Sequence, residues 1–113
     1  MTDDIRSERI VINNRDRIRI IPISEVLYFQ SFHKQIAVQT TKETLKLSGS
    51  LDQIEQRYST TLLRIHRNTL VNTKFIDSIE KNAEGQWKMA FIGIETKLGI
   101  SRRHMPTVRK WLR

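Results

Sequence analysis

Residues 62–72 read Leu62-Leu63-Arg64-Ile65-His66-Arg67-Asn68-Thr69-Leu70-Val71-Asn72, two short apolar runs on either side of a polar interval. Leu62, Leu63 and Ile65 lead in with the β-prone pattern of a core strand, and Leu70 and Val71 lead out in the same way. Between them His66, Arg67, Asn68 and Thr69 supply hydrogen-bond donors and no carboxylate, which suits a partner rich in acceptors such as phosphates and base edges. The same four residues also fit an ordinary polar turn between two strands.

Working outward, Ser48-Gly49-Ser50 breaks the β pattern upstream, and Ser50 with Gln53 has the spacing of a capping box. Leu51, Ile54 and Tyr58 then recur at helical spacing, so the sequence predicts a helix over 51–57 laid on a sheet by one apolar stripe. Farther upstream, 9–13 and 17–21 read as a hairpin around Asn13-Asn14-Arg15-Asp16. Residues 24–26 suggest a brief helical turn, and strands are expected over 26–30, 35–40 and 43–47, with Ser31-Phe32-His33-Lys34 as a loop tip. Downstream, 74–81 and 86–92 flank Asn82-Ala83-Glu84-Gly85, a hairpin signal in which Gly85 can take positive φ. Trp87, Met89 and Phe91 share one face and read as core. One more strand over 95–100 leads to Ser101, read as the N-cap of a closing helix with Met105, Val108 and Leu112 inward and Trp111 beside them. That reading puts Arg102 and Arg103 in the helix's first turn, where the macrodipole disfavours cations unless an anion binds there. The count is roughly nine strands to two short helices, a mostly β chain linked by hairpins.

The chain of 113 residues is long enough for one domain, expected over 9–113, with 1–8 as a linker or terminal stub. An apolar fraction of 38% and no long apolar segment argue against a membrane span. The polar, acidic start lacks the features of a signal peptide, and no cysteine is present, so a cytoplasmic location is expected. The net charge of +8 favours a polyanionic partner. Residues 26–42, 56–76 and 96–113 hold 12 of the 20 lysines and arginines, all three histidines and no acid, which leaves a net −4 in the rest. Three separated segments are thus expected to converge on one basic face.

No nucleophile elbow, Gly-rich phosphate loop or zinc helix is found, so neither an enzyme nor a cofactor or metal site is expected. A basic module for an acidic protein partner and a single-stranded nucleic-acid binder are alternatives to duplex binding. The second would favour exposed aromatics among the bases, a description that Phe32 fits.

The order 63–72, followed by Ile76-Asp77-Ser78-Ile79 and then Ile100-Ser101-Arg102-Arg103, resembles the LytTR family of bacterial DNA-binding domains. Ile23-Ser24-Glu25-Val26-Leu27-Tyr28-Phe29 and the loop with His33 match it too, so the resemblance covers 9–113. It implies an elongated stack of small antiparallel sheets with two short helices, the output domain of two-component response regulators. It also implies binding to double-stranded DNA through loops in successive major grooves, with a second copy possible on tandem sites. An N-terminal receiver domain usually precedes such a domain, and none is found in this sequence. Carried over by position, the loop contact falls on His33, the middle one on Arg67 beside His66 and Asn68, and the last on Arg103 beside Arg102. With their basic neighbours, the expected DNA-binding set is His33, Lys34, Arg64, His66, Arg67, Asn68, Arg102 and Arg103.

Overall fold

In the computed structural model, which describes residues 8–113, the opening stretch forms two antiparallel strands at one side of a five-stranded sheet. These are β6 (Leu62–His66) and β7 (Thr69–Asn72), and the sheet is completed by β3 (Val26–Phe32), β4 (Gln35–Thr40) and β5 (Thr44–Ser48) in the order β5-β4-β3-β7-β6. A two-stranded sheet of β1 (Arg9–Asn13) and β2 (Ile18–Pro22) covers one face. A three-stranded sheet of β8 (Ile76–Lys81), β9 (Trp87–Phe91) and β10 (Lys97–Gly99) covers the other. All pairings are antiparallel. The helices α1 (Leu51–Arg57) and α2 (Met105–Leu112) pack into the two layers, and the molecule measures 45 × 35 × 25 Å. The expected stack of small sheets is therefore the observed fold. The stub expected over 1–8 lies, except for Glu8, outside the described residues.

Two cores result. The first joins Ile10, Ile12 and Ile21 of the small sheet with Val26, Phe29, Val38 and Leu70 of the central one, and the stripe Leu51, Ile54 and Tyr58 seals it. The second joins Leu27, Tyr28, Ile65 and Val71 with Met89 and Phe91 of β9 and with Met105 and Val108 of α2. Because both faces of the sheet are covered, four successive residues of β3 are buried, Val26 and Phe29 in the first core and Leu27 and Tyr28 in the second, with a register shift between Val26 and Tyr28. The Ser50 hydroxyl accepts the amides of Asp52 and Gln53, so the serine half of the capping box forms.

Four local expectations are corrected. Residues Ser31 and Phe32 belong to β3, which leaves only His33 and Lys34 as the tip. The tenth strand spans three residues, because Gly93 takes a φ of 97° in a turn and the chain does not rejoin the sheet until Lys97. The helix after Ser101 begins at Met105, so Arg102 and Arg103 lie in the turn that precedes it. Proline explains this: a helix from Ser101 would make Pro106 an interior residue lacking the N–H it needs, whereas a start at Met105 puts it in the first turn, where none is required. Ser101 still organises the entry, its carbonyl accepting the amides of His104 and Met105. Leu112 and Trp111 are exposed, because the end of α2 extends past the surface that buries Met105 and Val108.

One buried polar side chain ties the layers together. Asn72, fully buried, donates from Nδ2 to the carbonyls of Ile23 (3.1 Å) and Val26 (2.9 Å) and accepts the Lys74 amide at 3.0 Å. Its amide fixes the 3-10 turn Ile23–Glu25 against the end of β7. Asn72→Leu keeps the branched heavy-atom skeleton but strands these groups, and should cost about 3 kcal/mol. A urea titration should show a lower midpoint with an unchanged slope; an unchanged midpoint would mean that the side chain is dispensable.

Candidate nucleic-acid interface

The tips of the central sheet bring the basic segments together. The first is the two-residue turn His33-Lys34 between β3 and β4, with φ of 41° and 67°, both in the left-handed region. Such a turn matches strand twist but favours Asn-Gly, so neither residue type is explained by the backbone alone. The second is Arg67-Asn68 between β6 and β7, closed by the His66–Thr69 pair. Because β3 pairs with β7, the two turns lie at the same end of the sheet, about 10 Å apart at two strand spacings.

Hydrogen bonds lock the second turn to its neighbours. The Ser31 amide donates to the Asn68 carbonyl at 2.9 Å, and Gln30 Nε2 reaches Thr69 Oγ1 at 3.3 Å. Within the turn, the Asn68 amide donates to His66 Nδ1 at 3.4 Å and Thr69 Oγ1 donates to Asn68 Oδ1 at 2.9 Å. The third segment joins on the other side, where the Ser101 amide donates to the Ile65 carbonyl at 3.0 Å. The three segments therefore form one row, in the order 33–34, 67–68, 101–104. His33, Lys34, Arg67, Arg102 and Arg103 are exposed along it, and His66 and Asn68 are half-buried.

Arg64 differs from the other expected contacts. Its side chain is 16% exposed, and its guanidinium bonds Asp52 Oδ1 (3.0 Å), Glu55 Oε1 (2.7 Å) and the carbonyls of His66 (3.1 Å) and Arg67. The fork is thus committed inside the protein. Asp52 and Glu55 lie outside the acid-free segments, although their spacing on the polar side of α1 is visible in the sequence.

His104 sits behind the row, its Nδ1 2.7 Å from Ser101 Oγ. Desolvation first, and then the charges of Arg64, His66 and Arg103, hold its imidazole below the usual histidine range. Since the folded value is depressed, acidification below the ordinary histidine pKa favours the unfolded chain.

From His66 and Arg102 an open cleft of about 720 Å³ continues past Arg109 to Lys81, Lys88 and Trp87. The Trp87 ring has the Arg109 guanidinium 5.6 Å and the Lys81 ammonium 5.9 Å from its centre, so the basic surface extends onto the third sheet. Among the described residues, no group of three or more His, Cys, Asp or Glu is placed to hold a metal ion, and no helix is long and apolar enough to cross a membrane.

Comparison with known proteins identifies the family and the fold. Residues 16–113 match the LytTr DNA-binding domain family. The chain is 29% identical over 102 residues to the positive alginate biosynthesis regulatory protein of Pseudomonas aeruginosa, covering 89% of this chain and 41% of that protein. It is 26% identical over 114 residues to the sensory transduction protein LytR of Staphylococcus epidermidis, covering 98% and 45%. The chain thus spans less than half the length of these two relatives. A solved LytTr DNA-binding domain of a putative methyl-accepting/DNA response regulator from Bacillus cereus superposes with a TM-score of 0.81 at 21% identity, covering 92% of this chain and 95% of that one.

Left-handed backbone at two non-glycine residues carries a cost that a better turn would remove. Replacing His33-Lys34 by Asn-Gly should raise the unfolding free energy by about 1 kcal/mol. Thermal denaturation checks this, and a lower midpoint would mean that the His33 or Lys34 side chain stabilises the tip.

Proposed function

Because the chain belongs to the LytTr DNA-binding domain family, we propose that it binds duplex DNA sequence-specifically through this row of turns, as the output unit of a bacterial response regulator. The observation that carries the proposal is the pair of backbone hydrogen bonds, Ser31 to Asn68 and Ser101 to Ile65, that aligns three basic segments distant in sequence. In this reading the domain covers 9–113, since the buried Ile10 and Ile12 make β1 part of the core.

The roles divide by exposure. His33, Arg67 and Arg103 present ring or guanidinium donors at the ends of tight, hydrogen-bonded segments, where they can enter grooves and read base edges. Lys34 and Arg102 neutralise phosphates beside them, and His66 and Asn68 shape the middle turn. Phe32, 58% exposed next to His33, offers an apolar contact to a thymine methyl. Lys88 and Arg109 continue the phosphate track along the cleft beside Trp87. In this reading the turns enter successive major grooves on one side of the duplex, with further copies on tandem sites.

Arg103 separates reading from adhesion. Arg103→Ala should weaken binding to a duplex selected from a random pool by about 1 to 3 kcal/mol and leave a scrambled duplex little changed. Lys110→Ala, on the exposed side of α2, should weaken both by one similar small factor. Titrations at one fixed salt concentration decide the matter, with circular dichroism confirming the fold. Equal losses on both duplexes for Arg103→Ala would make that residue a phosphate clamp, and a wild-type protein without sequence preference would remove the specific-binding reading.

A further inference from the structure

Arg64, its side chain 16% exposed, has its guanidinium engaged by acceptors within the protein. Arg64 bonds two carboxylates of α1 on one side and two consecutive carbonyls of the β6–β7 turn on the other. The geometry points to Asp52, Glu55 and Arg64 as a positioning triad, which sets the conformation of the Arg67-Asn68 turn and so determines whether Arg67 meets its base. This rests on the duplex-reading function proposed above. It assigns a DNA-recognition role to two acids on the far side of the turn, residues that charge alone would class as repelling DNA.

A register shift between Arg64 and His66 leaves the backbone irregular just before the turn, so the ladder alone does not fix the carbonyls of His66 and Arg67. Nε and Nη2 of Arg64 bind those two carbonyls, and the planar fork makes their directions interdependent. A guanidinium with a free terminal nitrogen could swing toward a phosphate. Glu55 at 2.7 Å and Asp52 at 3.0 Å prevent that by engaging Nη1 from the helix side. The helix itself is anchored, with Leu51 and Ile54 in the first core, so the triad links a packed element to an exposed reading turn. Glu55, with its side chain 40% exposed, is the closer and better-shielded partner, and Asp52, at 79%, the weaker one.

Electrostatics and positioning make opposite forecasts for the same substitution. Glu55→Gln removes a negative charge beside a polyanion-binding row, so charge alone demands tighter binding to every duplex. Positioning demands that the selected duplex bind about tenfold more weakly as the charge-assisted contact is lost, while scrambled duplex binds as well as before or better. Arg64→Lys conserves charge, yet a compact ammonium cannot hold four acceptors in one plane, so it should lose selectivity as Glu55→Gln does. Asp52→Asn should show the same change at a smaller size.

The experiment measures dissociation constants of these three variants and the wild type for a duplex selected from a random pool and for its scrambled counterpart, with thermal unfolding in parallel. The expected result is a reduced selected-to-scrambled ratio for Glu55→Gln and Arg64→Lys. Tighter binding of both duplexes by Glu55→Gln, or full selectivity in Arg64→Lys, overturns the triad while leaving the DNA-reading function standing. A wild-type ratio of one overturns both. Should Glu55→Gln lower the melting temperature enough to populate unfolded chain, Asp52→Asn and Arg64→Lys carry the decision.

Discussion

The structure depends on a central sheet that must be covered on both faces. In β3, Val26, Leu27 and Phe29 have no exposed surface, and the same holds for Leu70 and Val71 in β7. An antiparallel sheet usually leaves one face to water and alternates accordingly; this one cannot. The small sheet β1–β2 with α1 closes one side, and β8–β10 with α2 closes the other. At β3 and β7 the strand ends remain open to a partner, and the principal candidate contacts lie on the turns there.

That constraint also governs the charges. A basic edge is useful only if nearby acids do not cancel it, and several acids in this chain are held by particular bases. Glu43 bonds Arg19 through both oxygens, at 2.8 and 3.0 Å, fastening β2 to the turn before β5. The hydrogen bond to Arg19 lowers the Glu43 carboxyl pKa, and the same bond raises that of Arg19, so the two directions agree. With a depressed folded value, the contribution of Glu43 is present above the ordinary carboxylate range and fades as pH falls through the folded value. The pair is exposed enough to be screened and small in energy. Glu80 is held near Lys97 in the same way on the third sheet, at 3.6 Å.

Much of this architecture was legible because the local signals were strong. Helix α1 followed from three apolar positions and one serine, and the β8–β9 hairpin from Asn82 and Gly85, whose φ of 83° uses the freedom foreseen for it. Convergence of three basic segments was legible in the distribution of acids, since residues close in space at a polyanion site share the need to exclude them. The His33-Lys34 turn was harder. It adopts a geometry normally announced by Asn-Gly, and the strands instead impose it on residues that do not ask for it. The start of α2 was misread because Ser101 has the chemistry of a cap, while Pro106, five residues on, decides where the helix can begin.

Arg64 marks a deeper limit. From the sequence its donors count toward the basic face, and nothing in residues 62–72 reveals that Asp52 and Glu55, twelve and nine residues upstream, will consume them. Whether a cation is a contact or a brace depends on which way a strand residue points after a register shift, here between Arg64 and His66, beside Leu63 and Ile65 of the second core. The same packing gives the brace its value. A two-residue turn has few internal bonds with which to hold a long side chain in one place, whereas base recognition tolerates errors of only about 0.5 Å. Precision at the tip must then be borrowed from elements already rigid for other reasons. Here those elements are β3, through the Ser31 amide, and α1, through Arg64, one on each side of the turn that carries Arg67.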